Sequence, residues 1–392
     1  MNKKVVICAA VQFPRGSAAS NYLQYFSMAL MNVGYEIIML ANYNKKESQY
    51  YQDFIEKCQR RFSIVNVETP RDNVFDKISY HLTAGKKYVR ILKKIVHDDD
   101  IIIIYSDVYY FMLPIIKFAR NRGLKVGNII VEWYERKNIN NIVRYILYKK
   151  SFKLRETVDI LFPISTYIEN HFKKKGCNTL VLPILSDPYE YERCPKPNLE
   201  KINIVYPGNG LIKDSFINMI TAIELLNNEQ RKKISFHIKG VKKQDVINVI
   251  GEERFRRISP CLLFYGWMNY NELIELYRRS HYLLLARESC HLTKANFPSK
   301  VPEVMCHGVV PIASDVGDYT KFYLEDGKNA VIIHGAKSEA IKDALVRCTG
   351  INYNNYCLLS DNAYKLVCEK LSYKVWGHKI EKVLSSLSNE KN

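Results

Sequence analysis

Short apolar runs recur along this chain, each followed by a stretch with helical spacing, and the whole pattern occurs twice. In the first half Val5–Val11, Glu36–Leu40, Phe62–Val67, Ile101–Tyr105, Lys125–Glu132 and Asp159–Pro163 read as strands. Amphipathic text lies between them. In Ser20–Val33, for example, Tyr22, Tyr25, Phe26, Ala29 and Leu30 fall on one side, and Gly34 follows where a helix cap belongs. Apolar strands that alternate with helices build a parallel sheet covered on both faces.

The pattern breaks at Leu182–Pro197, where Pro183, Pro188, Pro195 and Pro197 interrupt charges and tyrosines of no helical period. That is linker chemistry. Beyond it the alternation restarts with strands at Ile202–Tyr206, Ile234–Lys239, Leu262–Tyr265, Tyr282–Ala286 and Val309–Ala313. Helices are expected at Ser215–Leu226, Tyr270–Arg279 and Val301–His307, and helical text runs from Leu358 to Leu387. At 392 residues the chain is long enough for two full cores. The expected class is α/β, with two Rossmann-like, doubly wound parallel-sheet domains facing a central cleft. Residues 1–186 form the first domain, 187–370 the second, and the helix at about 371–392 returns to the first. Chemistry is expected in the loops at the carboxyl ends of the strands.

Several function classes are disfavoured. No apolar run approaches the roughly 20 residues of a membrane span, and the opening MNKKVVICAAVQF reads as a first strand and not as a secretory leader. Ten scattered cysteines without C-x-x-C spacing read as reduced thiols in a cytoplasmic protein, and no zinc spacing is present. The run His97–Asp100 lies at the amino end of a strand, away from ligand loops, and reads as a solvated turn. Phe13–Ser20 lacks the G-x-G-x-x-G fingerprint, which disfavours hydride transfer, and no G-x-S-x-G occurs.

Net charge is +18 and uneven. Residues 1–186 hold 29 Lys and Arg against 16 Asp and Glu, a balance of +13, which leaves 29 against 24, or +5, for the rest. A basic first half invites a polyanion: nucleic acid, an anionic membrane face or a phosphate-bearing acceptor. No nucleic-acid module is recognisable, so nucleic acid is not an expected partner. Two stretches, Lys86–His97 and Arg136–Arg155, set Lys and Arg among Tyr, Ile, Val and Leu. Each reads either as a basic amphipathic element for a membrane surface or as a core helix with a solvated basic back.

The richest stretch for chemistry is Ala286–Asp318. A strand ends, and a loop follows with Arg287, His291, Lys294, Asn296 and Lys300. Ser299 is placed to cap a helix whose first turn holds Pro302 and Glu303. A helix N-terminus beside Arg287 and Lys300 can seat a diphosphate, and Glu303 can accept two ribose hydroxyls. The plainer reading is a dipole-matched acidic residue in a solvated basic loop. A second loop, Tyr206–Asp214, offers Gly208, Asn209 and Gly210 for close backbone approach and Lys213 just before a helix. A third, Phe13–Ser20, offers Arg15, Gly16 and Ser17, or is a strand-to-helix turn with a serine cap. Glu132, at the end of a strand, can hydrogen-bond an acceptor hydroxyl or pair with Arg136.

The segment Asn296–Ser314, NFPSKVPEVMCHGVVPIAS, resembles the donor-site signature of GT4-type glycosyltransferases, which have the GT-B fold. In that family two glutamates eight apart flank the loop. Glu303 matches the second, which holds the nucleotide ribose, and Ala295 stands at the first, which faces the transferred sugar. The loop Phe297–Lys300, preceded by Arg287, resembles a bacterial branch that assembles O-antigen, capsule and other surface polysaccharides. The resemblance implies donor contacts from Glu303, Asn296, Phe297, Pro298, Ser299, Gly208 and Asn209. It places Arg287, Lys300 and Lys213 at the leaving diphosphate, and Arg15, Gly16, Ser17 and Glu132 on the acceptor side.

What it implies in function is retaining sugar transfer from a nucleotide-sugar, taken as UDP-linked, to a glycan or lipid-linked acceptor. No metal or other cofactor is expected, and the enzyme would work in the cytoplasm at the inner membrane face. Two rivals stay open: a nucleotide-sugar-binding subunit that has lost catalysis, suggested by Ala295, and a GT-B sugar-nucleotide epimerase.

Overall fold

The computed structural model describes residues 3–14, 17–58, 60–67, 74–210 and 213–389. Its contacts divide the chain into a first unit, Met1–Leu185 with Tyr373–Asn392, and a second, Ser186–Ser372.

The first unit runs β1 (Lys4–Phe13), α1 (Ala18–Met31), β2 (Glu36–Tyr43), α2 (Ser48–Lys57), β3 (Phe62–Asn66) and α3 (Val74–Ile95). It continues with β4 (Ile101–Tyr105), α4 (Tyr109–Asn121), β5 (Lys125–Ile130), α5 (Ile142–Leu154), β6 (Ile160–Pro163) and α6 (Thr166–Lys173). The sheet order is β3-β2-β1-β4-β5-β6, and the strands pair in parallel, with Val5 opposite Ile37 on one side and Ile101 on the other. The strands form because their runs are apolar on both faces. Val5 to Ala9 and Ile102 to Ile104 have no exposed surface.

The second unit repeats the plan. Its strands are β7 (Ile202–Pro207), β8 (Ile234–Lys239), β9 (Leu262–Tyr265), β10 (Tyr282–Leu285), β11 (Val310–Ser314) and β12 (Val331–Ile333). They lie in the parallel order β12-β11-β10-β7-β8-β9. After β7 come α7 (Phe216–Leu225) and α8 (Asn228–Lys232), and after β8 come α9 (Lys243–Ile250) and α10 (Glu252–Ile258). Next are α11 (Tyr270–Arg279), α12 (His291–Lys294), α13 (Lys300–Met305), α14 (Asp318–Phe322), α15 (Ser338–Thr349) and α16 (Tyr353–Leu366). Counted within its own unit, each sheet has the order 3-2-1-4-5-6. The order reverses beside the first strand, which places a ligand crevice there in each unit.

Two elements differ from the reading of the sequence. The strand β12 has only three residues, too few for a periodicity to show, and lies inside the glycine-bearing run Glu325–Ile333. The C-terminal helical text is not continuous. A wider helical turn spans Val367–Leu371, Ser372 is extended, and α17 (Tyr373–Asn389) starts afresh. No proline or glycine marks the break. The backbone leaves the helix to pair: Ser186 N–H donates to Leu371 O at 3.0 Å, and Ser186 bridges Ser372.

Helix α17 then packs on α1. Its contact requires Gly377, where a Cβ would lie 2.6 Å from Ala29 O and 2.9 Å from a Val33 methyl carbon. Among the described residues no helix is long and apolar enough to cross a membrane. Replacing Gly377 by leucine is expected to lever α17 off α1 and cost about 1–3 kcal/mol. Urea unfolding would read the loss, and limited proteolysis should release the C-terminal helix first.

Candidate functional site

In the second unit the crevice at the order reversal is bounded by the loops that follow β7 and β10. They are tied together at their roots, where Ser215 N–H donates to Ala286 O at 2.8 Å. Arg287 leaves the end of β10 with its own N–H on Ser314 Oγ, 2.9 Å away, and Ser314 Oγ donates onward to Gly335 O at 2.6 Å. The arginine side chain is therefore aimed by the neighbouring strand β11.

At the centre stands Asp214. One carboxylate oxygen accepts from Arg287 Nε at 2.7 Å, and the other accepts from Lys300 Nζ and Tyr206 Oη, both at 2.8 Å. Tyr206 Oη in turn accepts the Gly210 N–H at 3.0 Å, so the glycine loop hangs from the same carboxylate. The Lys300 ammonium also lies over the Tyr206 ring, 4.7 Å from its centre. Arg287 and Asp214 are almost wholly buried, at 5% and 7% side-chain exposure, and Lys300 is at 15%.

Burial works against the Asp214 charge, but Arg287 and then Lys300 outweigh it and hold the carboxyl well below the usual carboxylate range. Burial lowers the Lys300 pKa, and Asp214 only partly restores it. The group holds two cations and one carboxylate, so it carries one net positive charge in a poorly hydrated place. Gly208 is fixed by the same packing. A Cβ there would meet Lys300 Nζ at 2.6 Å and Tyr206 Oη at 2.7 Å, and a Cβ on Gly240 would meet Gly208 O at 2.8 Å. Backbone and ammonium can approach one another here because neither glycine has a side chain.

The other expected residues fall as follows. Asn296 is buried and accepts from Arg287 Nη1 at 2.9 Å, so its side chain orients the arginine. Phe297 is 2% exposed and packs edge-on against Tyr319 and Tyr323, which makes it a wall of the loop and not a free contact surface. Pro298 is buried, while Ser299 is half-buried at the cap position of α13 with helical backbone and no side-chain capping bond. Serine's usual capping signal thus misleads here. Glu303 is half-buried in the first turn of α13, close enough to Lys300 for its charge to favour the ammonium. Lys213 is half-buried, and Asn209 is exposed. Ala295 has no exposed surface.

In the first unit Arg15 and Gly16 lie outside the described residues. Ser17 caps α1 in a reciprocal pair with Ser20, at 3.1 and 2.9 Å, so its hydroxyl serves the turn. Glu132 follows β5 and shares its surroundings with Asp107. After burial, these two carboxylates are the main causes that push up the Tyr105 and Tyr134 phenols. Arg136 donates to Ile139 O and lies 5.9 Å from the Tyr145 ring centre. Among the described residues no cluster of three His, Cys, Asp or Glu could hold a metal ion.

Sequence reasoning did not single out Asp214 or Tyr206, because an aspartate before a helix reads as a cap and a tyrosine ending a strand reads as core. The available signal was the pair Arg287 and Lys300, since two buried cations call for a carboxylate. Trp267 was also passed over. It is 87% exposed in the loop after β9, at the same carboxyl edge of the sheet.

The fold is that of the GT-B class, two Rossmann-like units each with a six-stranded parallel sheet. Residues 190–349, all within the second unit, match the family model "Glycosyl transferases group 1". Three solved structures are similar over nearly the whole chain. Anabaena HepE in complex with UDP is 11% identical, with a TM-score of 0.69, covering 98% of this chain and 100% of its own. A glycosyltransferase from Rickettsia africae is 12% identical, with a TM-score of 0.67 and coverage of 98% and 99%. TarM is 10% identical, with a TM-score of 0.72 and coverage of 97% and 98%. At such identity these likenesses establish the fold. No curated protein sequence matches the chain.

Removing the central carboxylate leaves two buried cations facing each other. Asp214→Asn is expected to destabilise the protein by about 3 kcal/mol at neutral pH. Because the folded-state pKa is depressed, this contribution is present above the unfolded pKa near 4 and is lost as pH falls toward the folded value. The stability gap between the native protein and Asp214→Asn should therefore close below about pH 4, as followed by urea unfolding at a series of pH values.

Proposed function

We propose that the protein is a retaining glycosyltransferase that moves a sugar from a UDP-linked donor to a glycan or lipid-linked acceptor in cell-surface polysaccharide assembly. The observation that carries this reading is the positive group built on Asp214 at the order reversal of the second unit. It coincides with the span matched by the glycosyltransferase family model. Support for the nucleotide comes from the similar HepE, solved with UDP and with UDP-glucose.

In this reading the bond between the anomeric carbon and the diphosphate oxygen breaks, and negative charge grows on the departing phosphate. Arg287, Lys300 and Lys213 supply fixed positive charge to it, so little reorganisation is needed at the moment of transfer. Glu303 accepts the ribose hydroxyls. Gly208 and Asn209 bring backbone to the phosphates, and the Asn296–Ser299 loop closes over the sugar. The Trp267 ring, two strands from β7, offers a stacking face to the base. The acceptor hydroxyl attacks from the side on which the diphosphate leaves and passes its proton to that leaving oxygen. Arg15, Gly16, Ser17 and Glu132 belong to the acceptor side. No essential metal is required, because the cations that balance the leaving group are side chains. The enzyme works on the cytoplasmic side, at an anionic membrane surface.

The burial of Ala295 favours one second reading, a binding subunit without turnover, since no carboxylate stands where the family's sugar contact would be. Turnover separates it from the enzyme, and product analysis separates both from an epimerase.

The test is a panel of nucleotide-sugars read by thermal shift and by release of nucleoside diphosphate. One UDP-sugar is expected to stabilise the fold and to be turned over. A ligand at about 100 Kd adds about 2.7 kcal/mol. Glu303→Ala should weaken that binding. Lys300→Ala should lower kcat by about 100-fold or more while UDP binding persists. Near-native turnover in Lys300→Ala would overturn the assignment. Turnover should be unchanged after treatment with EDTA, and a loss restored by a divalent cation would refute the metal-independent step.

A further inference from the structure

The two basic stretches of the first unit have different fates in the fold. Helix α3 buries Ala84, Tyr88 and Leu92 and turns Lys86, Lys87, Lys93 and Lys94 outward, which is the ordinary arrangement of a surface helix. Helix α5 does not follow it. Capped by Asn141, it buries Tyr148, Ser151 and Phe152, yet leaves Ile142, Val143 and Ile146 exposed by 53%, 61% and 49%. At 100° per residue these three share one stripe with Lys149, Lys150 and Lys153, all exposed. The outward stripe is thus apolar over its first turns and cationic over its last, along about 16 Å.

The neighbouring helices extend both zones. Helix α4 packs between α3 and α5, and the three share one layer over the sheet. Each runs back from the carboxyl edge of the strands. Among the described residues, the exposed large apolar ones of the layer are Leu82 on α3 at 49%, Tyr110 at the start of α4 at 37%, and the α5 trio. Further along the same helices, Lys86, Arg90, Lys93, Lys117 and Arg120 are exposed. From Leu82 to the end of α3, and through all of α4 and α5, there is no acidic residue. A surface that only needs solubility mixes both signs. The outward faces of these helices carry one sign only, with the exposed Asp98, Asp99 and Glu156 confined to the turns beyond the ends of α3 and α5, and they present adjacent aliphatic side chains to solvent, where isolated ones would need no explanation.

We infer that the outward face of α5, with the α3–α4 layer beside it, is a docking surface for an anionic lipid bilayer. Ile142, Val143 and Ile146 enter the headgroup boundary, and the lysines of the same stripe lie against lipid phosphates. Charge complementarity selects the bilayer. A second copy of this chain would bring like charge against like, and a neutral partner would leave the lysines unmatched. Helix α5 begins just after the loop that carries Glu132, so docking here brings the carboxyl edge of the first unit down to the membrane. The inference deepens the lipid-linked acceptor of the proposed function and rests on it only for that purpose; the docking itself stands apart from catalysis.

The experiment is flotation of the full chain with vesicles of phosphatidylcholine alone or mixed with phosphatidylglycerol, at low and high salt. Binding to the anionic vesicles, weakened by salt, is expected. The combined variant Ile142→Ser, Val143→Ser, Ile146→Ser should weaken it by about ten-fold or more with its charge unchanged. The variant Lys149→Glu, Lys150→Glu, Lys153→Glu should weaken it by about 100-fold or more, at about five-fold for each lysine lost. Thermal stabilisation by UDP, read in the same variants, should be unchanged. A failure of docking is thereby separated from a failure of the donor site or of folding. Absence of binding to anionic vesicles at low salt would overturn the inference. So would equal binding to neutral vesicles, unchanged binding in the apolar variant, or self-association that this variant abolishes.

Discussion

Everything at the candidate donor site depends on one buried carboxylate. Asp214 fixes Arg287 through one oxygen and Lys300 through the other, and by way of Tyr206 it fixes the turn of the glycine loop. Two stretches distant in the sequence thereby acquire one geometry: the loop from the end of β7 to the start of α7, and the loop from the end of β10 to the start of α13. A buried ion pair with one partner missing is costly, so each of the two cations depends on the one carboxylate between them.

The architecture was legible because parallel strands covered on both faces must be apolar throughout, and such runs stand out. Ile101–Tyr105 and Tyr282–Ala286 announce themselves, and the proline-rich interruption separates two similar halves. The three-residue β12 gave no period to read. At the site the basic residues were visible and their counter-ion was not. Asp214 has meaning only once β7 and β10 are neighbours, and neighbourhood in a sheet is tertiary information. Phe297 shows the converse limit. It sits in the motif that carries the resemblance, yet it packs against Tyr319 and Tyr323 to hold the loop.

The basic helices mark a different boundary of sequence reading. In α5, Tyr148 and Phe152 form one apolar side while Ile142 and Ile146 form another, so periodicity alone offers two candidate inner faces. The fold chooses the aromatic side, where Phe152 packs with Trp133 and Phe172. Aromatic bulk fills the space between α5, α6 and the loop after β5, and the branched aliphatic residues are left outside.

The return of the chain's last helix to the first unit has a temporal side. A polypeptide leaves the ribosome from its N-terminus, and domains generally fold in the order in which they emerge. Here the groove on α1 that receives Gly377 stays open while the whole of Ser186–Ser372 is made. The second unit is continuous and holds all its own strands, so it can mature while the first is still waiting for its final piece. The unit begun first is completed last, and apolar surface on α1 has to be kept from other partners for the time it takes to synthesise about half the protein.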